Sequence, residues 1–278
     1  MIEFIKERSD ADLGYFELLA MIDADLVIPT EEGFASMGHG KALHPKGHWE
    51  KPDPSDCHWP GDKPVDPGKA TGNGRRFWIR HDVDDQIDRA WAMANEEVLR
   101  GYRSVYFFLN TAPYFRWGVF LDMARDFALI GHTIGLHNNT VTAAYKMNDP
   151  KLAEMILSRD LAYLRQAGDV FITASHGDVW NRHHNVLNYE MFTECRRKGV
   201  FPHKPLAHYG LKYEAYYTPH TVYLGDSGGR WSGFNGTGER HTDPVAIIQK
   251  FNSQQSGIMQ LLIHPQWWQP KPKEEVSK

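Results

Sequence analysis

The six residues "RHDVDD", 80 to 85, set three carboxylates and a histidine directly after the apolar run Phe77-Trp78-Ile79. In extended backbone, residues two apart project to the same side, so Asp82 and Asp84 face one way while His81 and Val83 face the other. Two carboxylates that close do not both stay ionised cheaply unless a cation lies between or beside them. One of the pair can then bind a metal while the other receives a proton from the metal's water. The competing reading is a solvated loop with no chemistry.

Other residues with suitable chemistry recur after apolar segments. His137 closes "IGLHNNT", His176 lies in "ASHGD", Asp226 in "LGDSGGRW" and His264 in "LLIHPQWW". A single histidine after a strand is usually a surface or hydrogen-bonded residue. In a parallel α/β barrel, however, the carboxyl ends of the strands build the active site. Five coincidences at one such face favour a metal site over the solvated loop.

The elements that must position these residues alternate along the chain. "RFWIRHDV", "SVYFFLN", "HTIGLH", "VFITAS", "TVYLG" and "IMQLLIH" read as strands, and the continuous apolar character of "SVYFFLN" suits a strand buried on both faces. Helical periodicity is expected over residues 10–24 (with Asp10 as cap), 85–100, 118–130, 150–168, 186–198 and 243–253. Strand and helix in alternation predict a parallel α/β fold. Recurrence of polar residues at strand ends predicts closure into a barrel of about seven parallel strands.

Residues 33–75 differ in kind, being dense in Gly, Pro, His and Lys without periodicity. His39, His44, His48, Cys57 and His58 fall there, but their spacing matches no paired-ligand zinc pattern. Three regions follow: a helix and loop-rich segment over 1–75 packed on the barrel, the barrel itself over 76–268, and a disordered tail over 269–278. No internal repeat is present.

Composition narrows the function classes. The 278 residues are 41% hydrophobic and 13% aromatic, enough for a sizeable core. A formal charge of −4, with Lys and Arg scattered, gives no footprint for nucleic acid. "MIEFIKERSD" lacks the apolar core of a signal peptide and no window suits a membrane span, so a cytoplasmic protein is expected. Cys57 and Cys195 are expected as reduced thiols. The oligomeric state is left open.

With these residues placed, the chain resembles the polysaccharide deacetylases of carbohydrate esterase family four, the NodB-homology group. The resemblance spans residues 76–268. It implies a distorted (β/α) barrel, a divalent metal (usually zinc) and action on N- or O-acetylated sugars. "HDVD" is similar to the family's first motif, which implies Asp82 as base and Asp84 as metal ligand. "GHTIGLHNNT" resembles the second, implying His137 as ligand. Leu262, Ile263 and His264 match the apolar-Leu-apolar-His pattern of the last. Asp226 and Trp231 look like the fourth, where an aspartate tunes the acid histidine and an aromatic lines the acetyl pocket. The forms "HDVD" and "SHGD" resemble a divergent branch found with O-antigen synthesis genes, typified by WbmS.

Two departures stand out. Position 141, where the family has a second metal histidine, is Val141, and "TASHGD" replaces the third motif. Catalytic zinc normally takes three protein ligands plus water, so His176 is the candidate to restore the count, ahead of Asn138 and of His132 at the far end of its strand. The leading expectation is metal-dependent hydrolysis of a sugar N-acetyl group during cell-surface polysaccharide (O-antigen-like) synthesis, with Asp82 as base, His264 as acid, and Trp231, Trp267 and Trp268 available to stack on sugar or to fill core. A catalytically silent carbohydrate-binding relative that has lost its metal is the alternative, favoured by Val141. Amide hydrolysis in a small molecule is a third.

Overall fold

A computed structural model describes residues 1–7, 13–37, 74–177, 179–184, 186–195, 204–234 and 240–271. The histidines and Cys57 of the loop-rich segment, and Asp10, lie outside the described residues.

The central strand β3 (Arg75–Val83) shows how the sequence divides its two faces. Phe77, Ile79, His81 and Val83 alternate with Trp78, Arg80 and Asp82, and all seven are buried. A strand so covered belongs in the middle of a parallel sheet. β4 (Val105–Leu109) and β11 (Gly257–Ile263) flank it, both parallel to it. Outward from β4 come β5 (Thr133–Asn138), β6 (Ile172–Ser175) and β7 (Tyr213–Glu214), and beside β11 lies β8 (Val222–Gly225). These seven strands run parallel in the order β8-β11-β3-β4-β5-β6-β7. β9 (Ser232–Phe234) and β10 (Arg240–His241) extend the β8 edge antiparallel, and β2 (Asp25–Leu26) adds a short parallel ladder beside β3.

The expected barrel closure is not seen. Among the described residues no ladder joins β7 to β8. β7 lasts two residues before a 3-10 turn at Ala215–Tyr217 takes the chain away. The sheet nevertheless curls around a shared interior. Trp78, Val105, Phe107, Ile172, Ala174, Ala215 and Ile258 pack together there with Phe34 and Met37. Phe34 comes from α2 (Glu31–Ser36), a helix where the sequence pattern suggested only loop. Gly135 on β5 permits this packing, since a Cβ there would lie 2.5 Å from the Phe107 ring.

Helices α3 (Ile87–Leu99), α4 (Phe120–Leu129), α6 (Leu152–Leu164) and α8 (Pro244–Asn252) fall within the expected helical segments. α1 is shorter than expected, Tyr15–Ala20, with Gly14 before it and the Glu17 carboxylate accepting the Gly14 N–H at 2.9 Å. α5 (Thr140–Lys146) has no counterpart in the sequence reading. The helix expected over 186–198 does not form. α7 occupies Val179–His184, followed by 3-10 turns at Asn188–Met191 and Thr193–Cys195. Buried Asn188 sits in this stretch, and its carboxamide bonds backbone groups of Thr142 and His176, tying the turns to α5 and to the end of β6.

The ends of the described chain meet. β1 (Phe4–Lys6) pairs antiparallel with β12 (Trp268–Pro270), so Gln269 and Pro270 belong to a strand rather than to the expected disordered tail. Outside the sheet, buried Glu97 of α3 accepts hydrogen bonds from Tyr15, Ser104 and Tyr106 and pairs with His81 at 2.7 Å. This hub ties α1 and α3 to the sheet on the face opposite Asp82. No helix among the described residues is long and apolar enough to cross a membrane.

Candidate metal centre

Register and curl bring the strand ends to one place. Asp84 follows β3, His137 lies on β5, and His176 follows β6, whose Ala174 pairs with His137. Asp84 Oδ1 stands 3.3 Å from His137 Nε2 and 3.4 Å from His176 Nδ1, and the two nitrogens are 3.1 Å apart. Tetrahedral geometry with bonds of about 2.0–2.1 Å places donors about 3.3 Å from one another. The three atoms have that spacing.

The donor chemistry fits a cation as well. His137 Nδ1 donates to the Ala174 carbonyl at 2.8 Å, which leaves Nε2 of the neutral ring as a lone pair facing Asp84. Asp84 Oδ1 is buried and has no hydrogen-bond partner. Lone pairs converging in a desolvated place repel unless a cation or proton joins them. Burial opposes ionisation of Asp84, but the neighbouring His137, His176 and His264 outweigh it and hold the carboxyl well below the usual range. Two histidines and a carboxylate are a donor set suited to zinc.

Asp82 sits beside this cluster, with Oδ2 3.3 Å from His137 Nε2. Arg80 grips it in a fork: Nε donates to Oδ1 and a terminal nitrogen to Oδ2, each at 2.7 Å. Burial raises the Asp82 pKa, yet Arg80 and then His137 bring it below its ordinary value. The Tyr216 ring, 4.5 Å from the guanidinium, covers Arg80. Arg80 was missed in the sequence although the signal was present: it is two residues before Asp82 on the same strand face.

His264 Nε2 lies 3.9 Å from the other Asp84 oxygen, Oδ2. Its Nδ1 is 2.7 Å from Asp226 Oδ1, which also accepts the His264 backbone N–H at 2.9 Å. The indole of Trp268 donates to the other Asp226 oxygen at 2.8 Å. Burial disfavours the imidazolium, but the bond to Asp226 overcomes this and pushes the His264 pKa up to about 9.

The tryptophans separate. Trp268 is buried and belongs to the core beneath Asp226. Trp231 and Trp267 are half-buried, and Trp231 meets Trp268 edge-on with centroids 6.0 Å apart. Lys6 donates to the Gly229 carbonyl and lies 5.9 Å from the Trp231 ring, so β1 braces the turn after Asp226.

The remaining candidates fall elsewhere. Asn138 spends its amide on Thr140 and Asn188, and His132 bonds Ser104 and Ala94 at the other end of the sheet. Val141 is buried on α5 in the apolar cluster outside the sheet.

No protein-family model and no curated protein matches the sequence. Among solved structures, the catalytic domain of a peptidoglycan N-acetylglucosamine deacetylase from Eubacterium rectale is similar at 14% identity and a TM-score of 0.37, covering 70% of this chain and 78% of that one. A carbohydrate esterase of family four from Streptococcus mutans shares 12% identity with a TM-score of 0.39, over 68% of this chain and 73% of its own. A polysaccharide deacetylase from Bacillus cereus shares 12%, with a TM-score of 0.35, over 68% and 78% respectively. Likeness at this level assigns neither activity nor substrate, and the functional reading rests on the geometry of the site.

Proposed function

We propose that the chain is a metal-dependent hydrolase that removes an N-acetyl group from a sugar. One observation carries the reading: three donors at tetrahedral spacing are bordered by an arginine-held aspartate, Asp82, and an aspartate-held histidine, His264. Asp84, His137 and His176 would hold the ion, most simply zinc. A divalent cation there would polarise the acyl carbonyl and lower the pKa of water at the site.

The chain's own groups supply the proton transfers. Asp82 takes the proton of the attacking water, and Arg80 keeps both its oxygens fixed for that task. A carboxylate so paired is a weak base, suited to a water whose pKa a bound cation would lower. His264, charged at neutral pH through Asp226, delivers a proton from Nε2 to the departing nitrogen. Asp226 holds Nδ1–H and thereby aims Nε2 toward the cluster. Removal of an acyl group from an amine needs both transfers, and each pair borders the donors, Asp82 at His137 and His264 at Asp84.

The sugar assignment draws on the motif forms "HDVD", "GHTIGLHNNT" and "LLIH", and the half-buried Trp231 and Trp267 offer faces to a ring. The pair "HDVD" and "SHGD" supports a place in cell-surface polysaccharide synthesis of the O-antigen kind. The silent-relative alternative drew on Val141. His176 within the cluster weighs against it, because three candidate donors are grouped without position 141. The test is acetate release from N-acetylglucosamine oligomers by zinc-loaded and chelator-stripped protein. Release by the loaded form alone is expected. A protein that binds such oligomers but takes up no zinc and releases no acetate would establish the silent alternative.

A further inference from the structure

His137 and His176 are fixed by different means. His137 has its distal ring nitrogen tied to a carbonyl, the usual way an imidazole ligand is oriented. His176 turns Nδ1 to the cluster, and among the described residues no hydrogen bond orients its Nε2. Its ring therefore depends on how firmly the backbone of residues 175 and 176 is held.

That backbone lies where the sheet gives out. The His176 N–H still bonds β5, donating to the Asn138 carbonyl at 2.9 Å. The preceding N–H, of Ser175, points to the β7 side, but the β6–β7 ladder has already ended at Thr173 and Glu214. Glu214 replaces the missing strand with its side chain. Oε1 accepts the Ser175 N–H at 2.8 Å, and Oε2 accepts the Tyr216 N–H at 2.8 Å, capping the 3-10 turn Ala215–Tyr217. The carboxylate is fully buried, and the bond to Ser175 is buried with it, while the bond to Tyr216 is part-buried. A buried N–H without an acceptor is destabilising, and loss of Glu214 would leave that of Ser175 unpaired and the 3-10 turn without its cap.

We infer that Glu214 is a positioning residue of the metal centre, clamping the β6 end so that His176 presents Nδ1 at donor distance from Asp84 and His137. The inference rests on the metal reading above. It assigns Glu214 no contact with the ion or with substrate. The effect passes through the main chain of Ser175 and His176.

Zinc affinity, measured by competition with a chromophoric chelator, tests it in wild type, Glu214→Ala, Glu214→Gln, His176→Ala and the double variant Glu214→Ala/His176→Ala. Loss of such an outer partner typically weakens metal binding about 10–100-fold, and that is expected of Glu214→Ala. Glu214→Gln keeps the volume and one acceptor oxygen, so a smaller loss is expected, and it carries the test if the alanine variant does not fold. In the His176→Ala background Glu214→Ala should change affinity little, because the ligand it positions is gone. Wild-type affinity in both Glu214 variants would overturn the inference, as would an equal loss in both backgrounds, which marks general loosening. A wild type that binds no zinc would refute the metal reading and this inference with it.

Discussion

His264 Nδ1 and Asp226 Oδ1 are 2.7 Å apart in a buried pair whose carboxylate also takes the Trp268 indole. Asp226 is thus saturated with donors and fixed from the core side, and the imidazole has its outward nitrogen free for chemistry. In metal-free protein, Asp226→Asn should lower the His264 pKa from about 9 toward the ordinary imidazole value, as followed by NMR titration. The linkage has a definite sign. A raised histidine pKa stabilises the fold fully below about pH 6.5 and not at all once pH has passed about 9, with at most about 3 kcal/mol involved. The gap in urea midpoint between wild type and Asp226→Asn should therefore narrow as pH rises from 6 to 10. An unchanged His264 titration in the variant would refute the pairing's role.

Metal content separates ligands from acid-base groups. Asp84→Ala, His137→Ala and His176→Ala should each lose most of the zinc found by elemental analysis in wild type, since each removes one of three donors. A His176→Ala protein with full zinc would return the site to two protein ligands and reopen the question posed by Val141.

Asp82→Asn and His264→Ala should keep zinc and fold while losing acetate release by about 10²–10⁴-fold, the range for a positioned proton-transfer group. If His264→Ala is unstable yet turns over normally per folded molecule, His264 is packing and the acid lies elsewhere.

Arg80 offers a sharper pH test. It holds Asp82 below its ordinary pKa, so Asp82's contribution to stability is complete above about pH 4 and declines as pH falls through its lower folded value. Arg80→Lys loses the fork geometry, and the acidic limb of the pH–rate profile should move upward with turnover reduced. A limb that stays in place would show that Asp82 does not govern it.

Glu97 tests structure apart from chemistry. Burial opposes its charge, but His81 outweighs this and its pKa falls to about 2. Its stabilisation is present above about pH 4.5 and fades toward pH 2. Glu97→Ala strands the hydroxyls of Tyr15, Ser104 and Tyr106 and should cost about 3–5 kcal/mol in denaturant unfolding. Zinc bound per folded molecule should not change, because the hub lies behind β3.

By itself the sequence determined six of the seven parallel strands, because their signal is local: the apolar runs of β3 and β4 each suit a covered strand, whereas the two-residue β7 has no such run. It also determined that Asp82 and Asp84 share a face while His81 turns away, since pleating leaves no choice. Strand order carried more than local pattern reveals. His176 is 39 residues from His137 in sequence and reaches it only because β6 lies beside β5. The same holds for Asp226 with His264, for Trp268 as core rather than platform, and for Glu214, whose role exists only because β7 ends two residues too soon to pair with Ser175. The 3-10 turns after α7 likewise involve tertiary contacts, where buried Asn188 takes the free first-turn N–H of Thr142 on α5 and the His176 carbonyl beyond β6. Periodicity specifies which face of an element is buried; which elements then meet depends on the packing of the whole chain.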